Sequence, residues 1–417
     1  MSLEEIAELY HRYVNTLQIF CPRKDMLGGV GWGWYVCTGF STNDKCLVYV
    51  VTDEEEDRLL TQDINQVFKC GRRQIQSNAL KEELKLQNPK AATPLTDAIT
   101  QKERVDVLLI EGKDADYIVQ ELLRRNVLRH VDQLSVVLNT VNNATSVSDY
   151  QKQILLFKAL HQEGFRIFHF ERDPNHVFSN NPWRTGCYTV CMMREREVEP
   201  PIAVPEPKSL EAMDDRTLVN TYFSFVMSNE VLCKEILRVG DIDDGGWDVC
   251  VDDKYRPSSP CLVYSFGIGL EDQRRSKLQW FHNLGLSDKN STITRKNIKW
   301  KMMDLKSIRT SLGHNDRQID ILKMDIEGSE WLAVPNILET GILNHVKQLY
   351  LEIHVSVNNR RARDWIPKLD LLRQLHDVGF RLFWSHPNQV HYNTAISIYT
   401  KRHVSSCYEL YYVNINL

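Results

Sequence analysis

The feature that most constrains this chain of 417 residues is that its two halves repeat each other. Cys46-Leu47-Val48-Tyr49 recurs as Cys261-Leu262-Val263-Tyr264. Val105-Asp106-Val107-Leu108 and Ile110-Glu111-Gly112 answer Ile319-Asp320-Ile321-Leu322 and Ile326-Glu327-Gly328, and Gly164-Phe165-Arg166 answers Gly379-Phe380-Arg381. Before the first anchor, Tyr10, Cys21 and Cys37 meet Tyr222, Cys233 and Cys250 at nearly constant offset. Because order and spacing agree, the expectation is one domain of about two hundred residues occurring twice. Between the copies lies Glu197-Val198-Glu199-Pro200-Pro201-Ile202-Ala203-Val204-Pro205-Glu206-Pro207, whose prolines favour an extended spacer over helix or central strand. The expected organisation is a domain at 1–197, a Pro-rich linker at 198–212 and a second domain at 213–417, with the two copies packing on each other.

Within each copy, short apolar runs alternate with stretches of helix length, the pattern of a mostly parallel sheet covered by helices. In the second copy strands are expected at Cys261–Phe266, Trp280–Leu284, Asp320–Met324, Gln348–Ile353, Arg381–Phe383 and Ala395–Tyr399. Helices are expected near Trp331–Leu338 and Trp365–Val378. Such sheets bind ligands at the carboxyl ends of their strands, so chemistry is sought just after each strand.

The first strand is followed by Ser265-Phe266-Gly267-Ile268-Gly269, a glycine turn that would admit close backbone approach to a nucleotide-like ligand and that is equally explained as a tight strand-to-helix turn. After the third strand, Asp325 and Glu327 alternate along an extended segment and so would share one face, before Gly328 opens a helix. Helix-dipole preference accounts for Glu330 well and for Asp325 poorly. Glu352 and His354 form a second i, i+2 polar pair, where burial can retune either group for proton transfer or simply hold a core histidine.

On the strings Cys261–Ile268, Trp280–Asp288, Asp320–Trp331 and Leu351–His354, the second copy resembles the FkbM-type S-adenosylmethionine-dependent methyltransferases, in their animal methyltransferase-like branch. The resemblance implies an α/β fold: two tandem Rossmann-like, class I methyltransferase-type doubly wound sheets. It also implies S-adenosylmethionine as cofactor, with Phe266, Gly267 and Gly269 at its methionine and ribose end, Asp288 near adenine and Asp325 facing the sulfonium or the acceptor. Members of this family typically methylate hydroxyl oxygens. The chemistry is an in-line displacement that requires orientation and, for a hydroxyl, proton removal, with Asp325, Glu327, Glu352 and His354 as base candidates. The acceptor implied is a small or glycan-like molecule.

The sequence departs from the family where a second strand and its ribose-binding acid are expected. Between Gly269 and Trp280 stand only Leu270 to Gln279, too few for a crossover that needs a dozen or more residues. The second sheet is therefore expected to lack its usual second strand, with Glu271 or Asp272 as replacement acids. The first copy departs further. Val50-Val51-Thr52-Asp53 stands where the glycines would be, Asp325 finds no counterpart, and the run Asp53–Asp57 reads as a solvated helix start, so this copy is expected to be inactive. The rival reading makes the whole chain a pseudoenzyme that acts as a scaffold or interaction module. A nucleotide-sugar enzyme using Asp325 and Glu327 as a metal-binding pair is a third class.

A net charge of −4, with both signs interspersed, gives no basic stripe for nucleic acid. No apolar run approaches the roughly 20 residues of a membrane span, and no signal-peptide pattern begins the chain. Ten cysteines without a Cys-x-x-Cys pair argue against a common zinc site, and no metal is expected. Cys37 with Cys46, and Cys250 with Cys261, bracket equivalent polar turns, which suits short disulfide loops or buried free thiols. The resemblance, to proteins that look like secretory-pathway residents, tips this toward disulfides. Asn143-Ala144-Thr145 and Asn290-Ser291-Thr292 would then be glycan acceptors.

Overall fold

A computed structural model describes residues 1–31, 33–38, 46–55, 57–65, 69–85, 104–139, 146–179, 181–242, 245–267, 282–295, 298–389 and 393–417. The chain divides into two compact units, Met1–Pro200 with Leu232–Val249, and Pro201–Val231 with Cys250–Leu417. Residues 195–206 carry no regular structure and lead into the helix Pro207–Ala212.

The first unit is built on six strands: β1 (Leu47–Thr52), β2 (Gly71–Gln76), β3 (Val105–Ile110), β4 (Val131–Asn139), β5 (Phe165–Arg172) and β6 (Cys187–Arg194). They lie in the order β2-β1-β3-β4-β6-β5. The first four are mutually parallel and β6 runs antiparallel to both neighbours. β1 and β3 are buried at every residue. Their unbroken apolar runs make them central strands, because a parallel sheet is covered on both faces.

The second unit repeats this plan with β7 (Val263–Phe266), β8 (Ile319–Met324), β9 (Val346–His354), β10 (Phe380–Pro387) and β11 (Cys407–Asn414), in the order β7-β8-β9-β11-β10. β7, β8 and β9 are parallel, and β11 is antiparallel to β9 and β10. Both units are thus mixed α/β. The helices Glu330–Glu339 and Ile366–Asp377 fall where the apolar spacing puts them. Two expected strands are corrected. His282 to Leu284 are not extended pairing residues; the strand begins at Gly285 and joins a separate three-stranded sheet with Ser291–Arg295 and Ile298–Met303. Thr394–Ile396 forms only a hairpin with His403–Ser405, and the main sheet instead takes in β11 between β9 and β10, a strand whose tyrosine-rich alternation the sequence reading passed over.

The two units also make matching polar contacts. Asp106 accepts a hydrogen bond from the Leu47 N–H at 2.8 Å, and Asp320 accepts one from the Leu262 N–H at 2.8 Å. The Gln133 amide bonds both the N–H and the C=O of Cys37, as the Gln348 amide does those of Cys250. Arg166 donates to the carbonyls of His161 and Phe165, and Arg381 to those of His376 and Phe380. The glutamine amides satisfy backbone that would otherwise be buried without a partner.

The units differ at the strand nearest the expected cofactor turn. Val48 is fully buried, in a cluster with Leu60 and Ile64 that follow β1. Its counterpart Val263 is 49% exposed. Among the described residues β7 is an edge strand, while β1 is flanked by β2. The shortened loop itself, including Gly269, Glu271 and Asp272, lies outside the described residues.

The cysteine pairing differs from expectation. Cys21 is bonded to Cys37 and Cys46 to Cys70. Cys233 and Cys250 are each disulfide-bonded, while Cys261 is free and exposed. The polar turn after Cys37 is not what the disulfide spans; Cys37 ends a hairpin strand whose other strand follows Cys21 (Lys24–Leu27 against Trp34–Cys37), and that pairing brings the two sulfurs together. Among the described residues no helix is long and apolar enough to cross a membrane.

Replacing Gln348 by Leu orphans the backbone groups of Cys250 and the Tyr255 carbonyl that the amide now bonds, and is expected to cost about 2–4 kcal/mol in urea unfolding. Glu230, buried with its carboxylate accepting from the Leu382 N–H, is pushed up from 4.5 to about 7, chiefly by burial. The fold resists its ionised form, so the wild type should lose stability as pH rises from about 4.5 to 7 and then level off. Glu230→Gln should be more stable than wild type at pH 7.5, by up to roughly 3 kcal/mol, and equal to it at pH 4.

Candidate functional site

The apolar interiors of β8 and β9 leave their polar residues to collect at the carboxyl edge of the sheet. β8 ends at Met324, and the Asp325 N–H turns across to donate to the Phe266 carbonyl at 3.2 Å. This ties the ends of β7 and β8 together. Lys323, almost fully buried, extends its ammonium to the same carbonyl at 3.3 Å and to the Asp325 carboxylate at 3.0 Å.

Glu352 lies beside Asp325, near the end of β9. Its carboxyl is pushed up to about 8, by burial first, then by the hydrogen bond to Asp325 and that group's charge. At neutral pH Glu352 therefore carries a proton, held between two acids that cannot both ionise cheaply. The Cys407 thiol donates to Glu352 Oε1 at 2.7 Å, and Asn388 Nδ2 approaches the same oxygen at 3.4 Å. Burial and the neighbouring Glu352 raise the Cys407 thiol. His354 ends β9; its carbonyl accepts from Trp331 Nε1 at 2.8 Å, and its Nδ1 is buried without a hydrogen-bond partner. The Trp331 ring also carries the Lys368 ammonium, 4.1 Å from its centroid.

The structure therefore brings together Phe266, Gly267, Asp325, Glu352 and His354 from the expected set. Glu327 is separated from it. Because the strand stops at Met324 and Glu327 adopts a left-handed backbone (φ 58°), the expected alternation with Asp325 fails. Its side chain is exposed, 3.9 Å from His354 Nε2. That geometry also undoes the paired-acid metal motif of Asp325 with Glu327. Glu330 opens the next helix as expected, yet is buried, with its carboxylate accepting from the Ile326 N–H. Asp288 sits in the turn after Gly285–Leu286, accepting from Ser287 Oγ at 3.0 Å. Among the described residues no hydrogen bond or ion pair joins it to the Asp325 group.

Sequence reasoning missed Lys323, Asn388 and Cys407. Lys323 carried a signal, being two residues before Asp325. Cys407 and Asn388 carried none, since only tertiary pairing brings β11 and the end of β10 to Glu352. It also missed a counterpart of Asp325. Glu111 follows β3 as Asp325 follows β8, its N–H donating to the Val51 carbonyl at 2.9 Å. Its carboxylate is raised by burial and accepts from the Thr52 hydroxyl. The sequence alignment hid this because it matched Ile110-Glu111-Gly112 with Ile326-Glu327-Gly328 rather than strand end with strand end. Val50 and Val51, at 2% and 0% exposure, are buried residues of β1; since the Glu111 N–H reaches Val51 as the Asp325 N–H reaches Phe266, Thr52 and not a valine stands at the place of Gly267.

Within the second unit, residues 269–401 match the family model of a methyltransferase domain. The C-terminal part of the chain is thus similar in sequence to a methyltransferase domain, and it lies on a mixed α/β sheet. The chain is 26% identical over 258 residues to the Homo sapiens protein named Probable methyltransferase-like protein 24, covering 50% of this chain and 68% of that protein. It is 23% identical over 241 residues to the Rattus norvegicus protein of the same name, covering 46% of this chain and 64% of that one.

Gly267 has φ 94°, and an added Cβ would lie 1.5 Å from the Asp325 carbonyl oxygen. The close approach that demands glycine here is to the protein's own backbone. Gly267→Ala should therefore destabilise the second unit by about 2–4 kcal/mol in denaturant unfolding with no ligand added.

Proposed function

We propose that the second unit is an S-adenosylmethionine-dependent methyltransferase acting on a hydroxyl oxygen, on a small or glycan-like acceptor. The observation that carries this reading is the Asp325–Glu352 acid pair beside the Phe266–Gly267 turn, at the carboxyl edge of a sheet whose sequence matches a methyltransferase domain. The donor set suits the cofactor's cationic end, since the carboxyl groups of Asp325 and Glu352 gather at the edge and anionic groups favour a nearby cation. Bound S-adenosylmethionine would supply a methyl group on positively charged sulfur. Asp325, fixed by Lys323 and by its own N–H, orients the reacting end. Glu352 starts with its proton in place at neutral pH, so a proton leaving an acceptor hydroxyl goes first to Asp325, with the pair then sharing it.

The matched buried contacts of Asp106 with Asp320, Gln133 with Gln348 and Arg166 with Arg381 support descent of both units from one FkbM-type ancestor, doubly wound in each copy. In that descent the first unit kept an acid at Glu111 and lost the turn that would serve a cofactor. Six disulfide-bonded cysteines and the exposed Asn290 of an Asn-Ser-Thr triplet support an oxidising, secretory compartment.

A second reading, a catalytically inactive scaffold, is favoured by one observation: β7 lacks a neighbouring strand on its outer side among the described residues and leaves Val263 exposed. Calorimetric titration with S-adenosylmethionine separates the two. Saturable binding that is lost in Asp325→Ala and kept in Glu111→Ala is the expected result. A folded chain that takes up no ligand at millimolar concentration would overturn the enzyme reading and leave the scaffold.

A further inference from the structure

We propose that Glu352, His354 and Cys407 form a binding site for a divalent transition metal of the zinc type, with an open coordination position at the carboxyl edge of the second unit's sheet. The three residues offer one donor atom each, and these atoms lie within 4.8 Å of one another. Zinc bonds of about 2.0–2.3 Å to oxygen, nitrogen and sulfur place tetrahedral donors roughly 3.3–3.8 Å apart, within reach of small side-chain adjustments. The strands dictate the convergence. Alternation along β9 puts Glu352 and His354 on one face, and the antiparallel register sets Cys407 directly across from His354. Donors mounted on paired strands are held more rigidly than donors on loops.

Two local features bear on this assignment. His354 Nδ1 is buried with no hydrogen-bond partner, a position that a metal would satisfy. The Cys407 sulfur and Glu352 Oε1 lie 2.7 Å apart, closer than two donors on one zinc ion, so a bound metal would part them by roughly 1 Å. Metal binding there forms bonds to the Cys407 sulfur, a Glu352 carboxylate oxygen and a His354 ring nitrogen, and releases two protons to solvent, one from the thiol and one from the Glu352 carboxyl. Asn388 on Glu352 and Trp331 on the His354 carbonyl are the supporting contacts that orient such ligands. The first unit contains a similar trio, Asp173, His176 and Cys187, but there His176 Nδ1 is already bonded to Asp173 at 2.8 Å, so its donors satisfy each other. The use of the open position, to hold an acceptor hydroxyl and ease its deprotonation as a Lewis acid, rests on the methyltransferase reading; the metal site does not.

The test is a cobalt(II) titration of the full chain after treatment with a chelator, without S-adenosylmethionine, followed by the near-ultraviolet thiolate-to-cobalt charge-transfer band and the tetrahedral visible bands. One equivalent is expected to bind. Cys407→Ser should abolish the charge-transfer band, Glu352→Gln and His354→Gln should each weaken binding at least about tenfold, and Cys187→Ser should change nothing, all in variants with wild-type circular dichroism. A folded wild type without the band, a band that survives in Cys407→Ser, or one lost in Cys187→Ser would overturn the site. Since the cofactor is absent, cobalt binding without S-adenosylmethionine binding would remove the methyl-transfer reading and leave the metal site; the reverse outcome would do the opposite.

Discussion

Everything at the candidate site follows from parallel strands whose interiors cannot hold polar groups. β8 and β9 are buried along nearly all their length, so their polar residues are tolerated only at the ends or where a buried backbone group needs them. At the amino ends that need is met by Asp320 and Gln348, which peg the neighbouring segments in place. At the carboxyl ends Lys323, Asp325, Glu352 and His354 gather on one edge. The same sheet logic that stabilises the unit therefore also concentrates titratable groups at one place, and concentration is what shifts them: Glu352 holds its proton because burial and a second acid leave it little choice.

Gly267 shows how closely structure and site are joined. Its backbone lies against Asp325, and the bond from Asp325 N–H to the Phe266 carbonyl closes the turn. A residue chosen by sequence reasoning for its approach to a ligand is needed first for the approach of one strand end to the next. The two roles are compatible, since a turn that brings Phe266 to Asp325 also shapes the surface a ligand would meet.

The first unit makes a useful internal comparison. It keeps the sheet order, the buried Asp and Gln pegs and an acid at the end of β3, and it adds β2 outside β1. It differs at the edge: Thr52 where the second unit has Gly267, and Glu111 bonded to Thr52 where the second unit has Asp325 paired with Lys323. The sheet plan is shared while the edge residues differ, since packing and edge residues answer to different constraints.

The sequence by itself determined the α/β alternation and placed Asp325, Glu352 and His354 at strand ends, because strand period and apolar run length are local properties that one dimension records. It misjudged Glu327, because β8 ends where the Asp325 N–H bonds the Phe266 carbonyl of another strand, a contact that the local sequence does not show. It mispaired the cysteines, because Cys37 meets Cys21 only through the pairing of a hairpin. Tertiary structure alone decided that Cys407 and Asn388, more than thirty residues from Glu352 along the chain, would touch its carboxylate. Antiparallel register is set by the packing of the whole sheet, and no short stretch of sequence carries it.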